Sequence, residues 1–257
     1  MSEKLTKVGI VILAAGKGTR MKSDKLKVMH DLKGSPLIEH VVKCAEALKL
    51  DQKPVVVVCA DNHAVEEYLV DRAEYVVQKE QLGTGHAVLA AEAKINGFAN
   101  DVVVLYGDMP FITPESIKKL LEKHREKHNV LTLMTVTVPD FLDWRAQFYD
   151  FGRIKRDPVT GHVIGIVEKK DASPEELEIK EVNTSFFCFN ANWLWKNLKD
   201  LKNENAQKEY YLTDLVKAAF TRGDKISSVV VDAHEALGIN TKEHLDIAET
   251  LRVANSI

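Results

Sequence analysis

Val8-Gly9-Ile10-Val11-Ile12-Leu13 is an unbroken apolar run, rich in β-branched residues, that leads into Ala14-Ala15-Gly16-Lys17-Gly18-Thr19-Arg20-Met21. A strand without polar alternation must be buried on both faces, a condition met mainly in parallel sheets covered by helices. The loop behind it is equally restrictive. Small residues allow close approach of the backbone to a ligand, and successive amides in such a turn point at an anion. Arg20 can grip phosphate with a planar fork, and Lys17 and Lys27 add charge. A dinucleotide fingerprint needs a third glycine where Met21 stands, and a Walker loop needs Ser or Thr after Gly-Lys, where this chain has Gly18. The loop therefore reads as an anion cradle of neither kind, or as a plain glycine turn between strand and helix.

The same buried-strand character recurs at Val55–Cys59 and Val102–Leu105, with helical patterns between at residues 36–50 and 86–95. Ser35 is the expected N-cap of the first helix, with Pro36 at its first position, and Thr113-Pro114-Glu115 repeats that signal before 117–128. Beyond about residue 130 the rhythm changes. A strand is expected at 130–138, a hairpin at 152–168 turning through 157–161, and a strand at 181–190. A helix at 210–222, a strand at 226–232 and an amphipathic helix at 241–254 follow. The fold class is α/β, a Rossmann-like, mostly parallel mixed sheet flanked by helices, with a small acceptor-side lobe. No linker or repeat divides the chain, so 1–257 is expected to form one domain: a first half to about 130, a second to about 240, and a closing helix.

Composition narrows the class further. Hydrophobic residues at 45% of 257 supply a real core, and 35 Lys and Arg against 38 Asp and Glu give a formal charge of -3. No global basic field invites nucleic acid, so an anionic ligand must be held by a local cluster of cations. Cys44, Cys59 and Cys188 are widely spaced in apolar surroundings and read as buried reduced thiols. The N-terminus shows no signal peptide and the apolar runs are too short for a bilayer, so a cytoplasmic protein is expected, with no membrane partner.

Three further motifs carry chemistry. Gln78-Lys79-Glu80-Gln81-Leu82-Gly83-Thr84-Gly85-His86 offers Gln amides that suit the imide edge of a base, or is simply a glycine loop with Thr84 as a cap. Tyr106-Gly107-Asp108-Met109-Pro110 puts a carboxylate at the carboxyl end of a buried strand, where open α/β sheets bind ligands, although Gly-Asp before proline is also an ordinary turn. Asn240-Thr241-Lys242-Glu243 resembles a capping box for the last helix, and either Asn240 or Thr241 can be the cap.

Leu13 to Met21, followed by Lys27-Val28, resembles the signature of the sugar-phosphate nucleotidyltransferases, and the wider pattern from Val8 to Asn240 is similar to the N-acetylglucosamine-1-phosphate uridylyltransferases. The resemblance implies the nucleotide-diphospho-sugar transferase fold and a reaction of UTP with N-acetylglucosamine 1-phosphate. The products would be pyrophosphate and UDP-N-acetylglucosamine, a precursor of peptidoglycan and lipopolysaccharide. It implies catalytic Arg20 and Lys27, and a nucleotide site of Leu13, Ala14, Ala15, Gly16, Gly18, Gln78, Gln81, Gly83 and Thr84. It further implies a sugar site of Tyr106, Gly107, Gly152, Glu168 and Asn183, and Mg²⁺ on Asp108 and Asn240. Bifunctional members continue into a left-handed β-helix acetyltransferase that forms trimers; this chain is expected to lack it and to be a monomer or weak oligomer. Four departures stand out: Leu26 in place of proline before Lys27, Phe151 in place of tyrosine, Ser185 in place of glycine, and a stretch at 140–149 unlike the family's shorter loop. Another hexose 1-phosphate or nucleotide, or a non-catalytic nucleotide-sugar binder, are the competing readings.

Overall fold

The structure is a computed structural model that describes residues 7–16 and 18–251. Lys17, expected to add charge to the first loop, and residues 252–254 of the expected closing helix lie outside the described residues. In chain order, β1 (Val8–Leu13) is followed by a two-residue pair, β2 (Asp31–Leu32) and β3 (Ser35–Pro36), and by α1 (Leu37–Ala47). Next come β4 (Val55–Cys59), α2 (Ala64–Leu69), β5 (Glu74–Gln78), α3 (Thr84–Ala90), α4 (Glu92–Ile95), β6 (Asp101–Tyr106) and α5 (Pro114–Glu126). The second half holds β7 (Leu131–Thr137), β8 (Arg153–Arg156), β9 (Val163–Val167), α6 (Pro174–Leu177) and β10 (Glu181–Asn190). It ends with α7 (Ala191–Leu198), α8 (Asp214–Thr221), β11 (Ile226–Val230) and α9 (Lys242–Thr250).

The main sheet runs β11-β7-β10-β6-β1-β4-β5, and β8 pairs with both β10 and β9. β1 lies parallel to β4 and β6, β4 to β5, and β11 to β7, while β10 is antiparallel to β6 and β7. The alternation of the central strands supplies both faces. Ile10, Ile12, Val56, Val58, Val103 and Leu105 enter one core, and Val11, Val55, Val57, Val102 and Val104 the other. Each such side chain, fully buried, contributes about 1.5–3 kcal/mol. These strands therefore form the rigid part of the molecule, and the loops at their ends are positioned by them.

Register decides which ends meet. Leu13 stands opposite Tyr106 and Val57, so the loops after β1 and β6 leave the same edge of the sheet. Cys59 pairs with Gln78, which brings the loop after β5 there too. Because β10 runs the other way, its first residues reach that edge: Phe187 pairs with Val104, and the chain before it extends past Tyr106.

Several boundaries differ from the sequence expectation, each for a local reason. Ser35 does not cap α1, because its backbone pairs with Leu32 around Gly34 at φ +82°; Pro36 is the N-cap, without a side-chain bond. The helix expected at 86–95 begins at Thr84 and breaks after Ala90. The helix expected from Tyr210 starts only at Asp214, since the Tyr210 amide and carbonyl are bonded to Leu82 and Gly85. By contrast, Thr113 accepts from Ser116 N as expected, and Asp157 accepts from the amides of Val159 and Thr160 in the predicted turn. The half-exposed β5 and the helix α7 carried no pattern strong enough to be expected.

Candidate active site

At the shared edge lies a cleft of about 230 Å³, floored by Leu13, Ala14, Ala15 and Gly16 and walled by Lys27, Gln78, Gln81, Gly83, Thr84, Tyr106 and Asp108. Val28, beside Lys27 in its motif, and Glu209 line it as well, as does Ala87, to which no motif pointed. Gly18 has φ +63°, and a Cβ there would lie 2.5 Å from Lys27 Cβ, so only glycine lets the loop fold back over Lys27.

Lys27 and Asp108 are mostly buried, with side chains 15% and 13% exposed, and the Lys27 ammonium donates to the Asp108 carboxylate. It also donates to Asn240 Oδ1 at 3.1 Å, and Arg20 Nη2 donates to the same oxygen at 2.9 Å. Four side chains from three distant segments thus meet at one end of the cleft. Ile239 N donates to the Asp108 carbonyl at 2.8 Å, which ties the two oxygen-bearing loops together. Thr241 Oγ1 accepts from His244 N and so serves as the cap of α9, leaving the Asn240 amide for the site. Asp108 and Asn240 present a carboxylate and an amide oxygen to a single cationic point, now the Lys27 ammonium. That donor set fits a hard divalent cation, which usually takes one or two carboxylates and completes its shell with water and phosphate oxygens.

The loop at 78–86 is braced from behind. Gln78 is buried and donates from Nε2 to the Gly83 carbonyl at 3.2 Å, with His86 Nδ1 at 3.1 Å; Gln81 Nε2 donates to the Ala15 carbonyl at 2.5 Å. Thr84 does not cap its helix; its hydroxyl accepts from Leu212 N at 3.0 Å. A Cβ on Gly83, at φ +111°, would lie 2.7 Å from the Tyr210 carbonyl oxygen. The 209–212 strap therefore packs on the loop where its glycines leave room. Glu209 reaches the cleft on that strap.

Beyond the lining of the cleft, Gly152, Glu168 and Asn183 are brought together. A Cβ on Gly152 would lie 3.3 Å from both Glu168 carboxylate oxygens, and Asn183 N donates to the Gly152 carbonyl at 2.8 Å. Glu168 Oε1 accepts from the Thr213 hydroxyl at 2.9 Å; burial raises its pKa above the usual carboxylate range, against the lowering effect of that bond. Asn183 Oδ1 accepts from Ser185 N, and Ser185 sits at φ +65°, the left-handed region that favours glycine. Burial and the nearby Glu168 charge push the Tyr106 phenol up, against the lowering effect of the Thr84 and Ser185 side chains beside it. Gly107 packs instead beneath the cleft, its amide donating to Leu13 O at 2.9 Å.

A family model described as the MobA-like NTP transferase domain matches residues 10–162. Over 245 residues the chain is 42% identical to the bifunctional protein GlmU of Lactobacillus delbrueckii subsp. bulgaricus, covering 95% of this chain and 51% of that protein. It is 40% identical over 255 residues to the bifunctional protein GlmU of Geotalea daltonii, covering 97% and 53%. The chain spans about half the length of these relatives. UDP-glucose pyrophosphorylase complexed with UDP-glucose superposes with a TM-score of 0.73 at 18% identity, over 95% of this chain and 97% of that one, which shows a common fold. Among the described residues no helix is long and apolar enough to cross a membrane.

Proposed function

The chain belongs to the family of MobA-like NTP transferase domains, and from that premise we propose that it transfers a uridylyl group from UTP to N-acetylglucosamine 1-phosphate. The observation that carries the proposal is the convergence of Arg20, Lys27, Asp108 and Asn240 at one end of a cleft whose floor is the Ala14–Gly16 backbone. The high identity to the GlmU proteins and the sequence resemblance support the choice of nucleotide and sugar. Residues 8–240 act as one catalytic unit in this reading, working in the cytoplasm.

A sugar phosphate oxygen attacks the α-phosphorus in line, the new P–O bond forms, and the bond to pyrophosphate breaks. The attacking oxygen is already anionic, so no general base is required. Bringing two anions together is the main barrier, and positioning plus electrostatics must lower it. Two unit charges 4 Å apart interact by about 1 kcal/mol in water and about 4 kcal/mol near a protein surface, which favours the sheltered Lys27 over the exposed Arg20. Asp108 and Asn240 would hold Mg²⁺, which supplies positive charge against the phosphates when bound. Lys27 then moves from its carboxylate partner to the phosphates, Arg20 steadies them from the open side, and Gln78, Gln81 and Thr84 orient the base. Glu168 and Asn183 fix the sugar.

Pyrophosphate release from a panel of nucleotides and hexose 1-phosphates, with magnesium present, tests the proposal. UTP with N-acetylglucosamine 1-phosphate is expected to be the best pair. A better rate with another sugar 1-phosphate would move the assignment, and Ser185 and Phe151 are the departures that would account for it. Tight UDP-sugar binding without any pyrophosphate release would reduce the protein to a binder.

A further inference from the structure

Residues 140–150 pack from outside against the loop that carries Asn240. Asp143–Asp150 winds as a 3₁₀ helix whose inner side carries Gln147 and Phe148, both buried. Phe148 meets Phe151 edge-on at 5.1 Å, and Trp144 stacks on His234 with centroids 4.4 Å apart. Gln147 Oε1 accepts from the buried Gly238 amide at 3.2 Å, while its Nε2 donates to the Trp144 carbonyl at 3.4 Å. The stretch thus grips the chain at His234 and again at Gly238, immediately ahead of Asn240.

Gly238 in turn sets the Asn240 side chain. A Cβ at Gly238 would lie 3.3 Å from Asn240 Nδ2 and 3.9 Å from Phe151 Cζ, so the carboxamide is folded back over this glycine. The loop is tied to Asp108 through Ile239 N on one side and to Gln147 through Gly238 N on the other. We propose that Gln147 is a positioning residue that holds the Asn240 oxygen opposite Asp108, an inference that rests on reading these two residues as cation ligands. Without the Gln147 acceptor, the buried Gly238 amide must find another partner, and the loop moves to provide one. Among the described residues Gln147 bonds only to Trp144 and Gly238, so it acts on Arg20 and Lys27 solely through the Asn240 oxygen that both of them share.

The test compares the wild-type protein with Gln147→Leu, which removes the acceptor, and Gln147→Glu, which retains it. Mn²⁺ binding in the presence of UTP is followed by the loss of the free-ion electron paramagnetic resonance signal. The magnesium dependence of pyrophosphate release and thermal unfolding are measured alongside. Gln147→Leu is expected to require roughly tenfold more cation in both assays, the usual weight of a group that orients a ligand. Its KM for UTP at saturating magnesium should stay within about twofold of the wild-type value. Gln147→Glu should need no more cation than the wild type. A folded Gln147→Leu protein with wild-type Mn²⁺ binding and magnesium dependence overturns the proposal, whatever its melting temperature. If Gln147→Leu does not fold, Gln147→Asn, one methylene shorter, is judged by the same two outcomes. Failure of the wild type to release pyrophosphate from any nucleotide would sink the uridylyl-transfer reading alone, because Mn²⁺ binding still decides the role of Gln147.

Discussion

On one side, Leu13–Gly16, Gln78, Thr84 and Asp108 line the cleft from the ends of the parallel strands β1, β5 and β6; on the other, Gly152, Glu168 and Asn183, which we propose hold the sugar, come together from the antiparallel strands β8, β9 and β10. On the first side each motif is a short contiguous loop whose direction is fixed by the strand before it, buried in β1 and β6 and half-exposed in β5. The second side exists only once three strands and the 209–213 strap have assembled, as the Glu168–Thr213 and Asn183–Gly152 bonds show. Phosphate handling should therefore be sensitive to single charges, and sugar selection to packing and strain.

Asp108→Ala is expected to do most damage, lowering pyrophosphate release by about 10³-fold or more while circular dichroism and the melting transition show a folded protein. Wild-type rates in that variant, with unchanged magnesium dependence, would break the assignment of the cation end. Lys27→Met should follow, with kcat down by roughly 10²-fold and Asp108 still able to hold the cation. A variant that raised only the KM for UTP would place Lys27 in ground-state binding instead.

On the acceptor side, Glu168→Gln should raise the KM for sugar 1-phosphate about tenfold, the weight of one hydrogen bond to a charged group, with the KM for UTP unchanged. Burial raises the Glu168 pKa, so the wild-type sugar KM should climb on acidification at a higher pH than an ordinary glutamate would give. The variant should lose that dependence. A carboxyl raised in the folded state stabilises the fold below its unfolded pKa, and that stability is lost as pH rises through the folded value. Glu168→Gln should therefore melt slightly higher at neutral pH; a lower melting temperature would mean that the ionised form is needed for packing. Ser185→Gly should have the smallest effect. Relief of about 1 kcal/mol of left-handed strain is partly offset by the freedom of glycine, for a net gain of a few tenths of a kcal/mol in urea unfolding. A loss would show that the Ser185 side chain, which lies beside Tyr106, contributes more than the strain costs.

The division between the two sides also explains what was legible in the chain. Val8–Leu13, Val55–Cys59 and the strand at 102–105 stand out as buried parallel strands because both faces are apolar, and the structure has them so. The choice between Asn240 and Thr241 as cap could not be made locally, because either side chain can reach the first turn; contact with Lys27 and Arg20 decides it. Ser35 carried a good capping signal and was overridden by pairing with Leu32. Glu209 and Gln147 stand in stretches that do not say what those side chains meet, since their placement comes from the strap and the 3₁₀ stretch lying against distant loops.

By itself the sequence determined a central parallel sheet, and a small-residue loop with cations at the end of its first strand, because hydrophobic periodicity and loop chemistry act over a few residues. Only the tertiary structure decided that Asn240 meets Arg20 and Lys27, more than two hundred residues earlier, and that Gly152, Glu168 and Asn183 face one another. Those meetings depend on strand order, on the reversed direction of β10 and on its register, all set by the burial of both sheet faces at once.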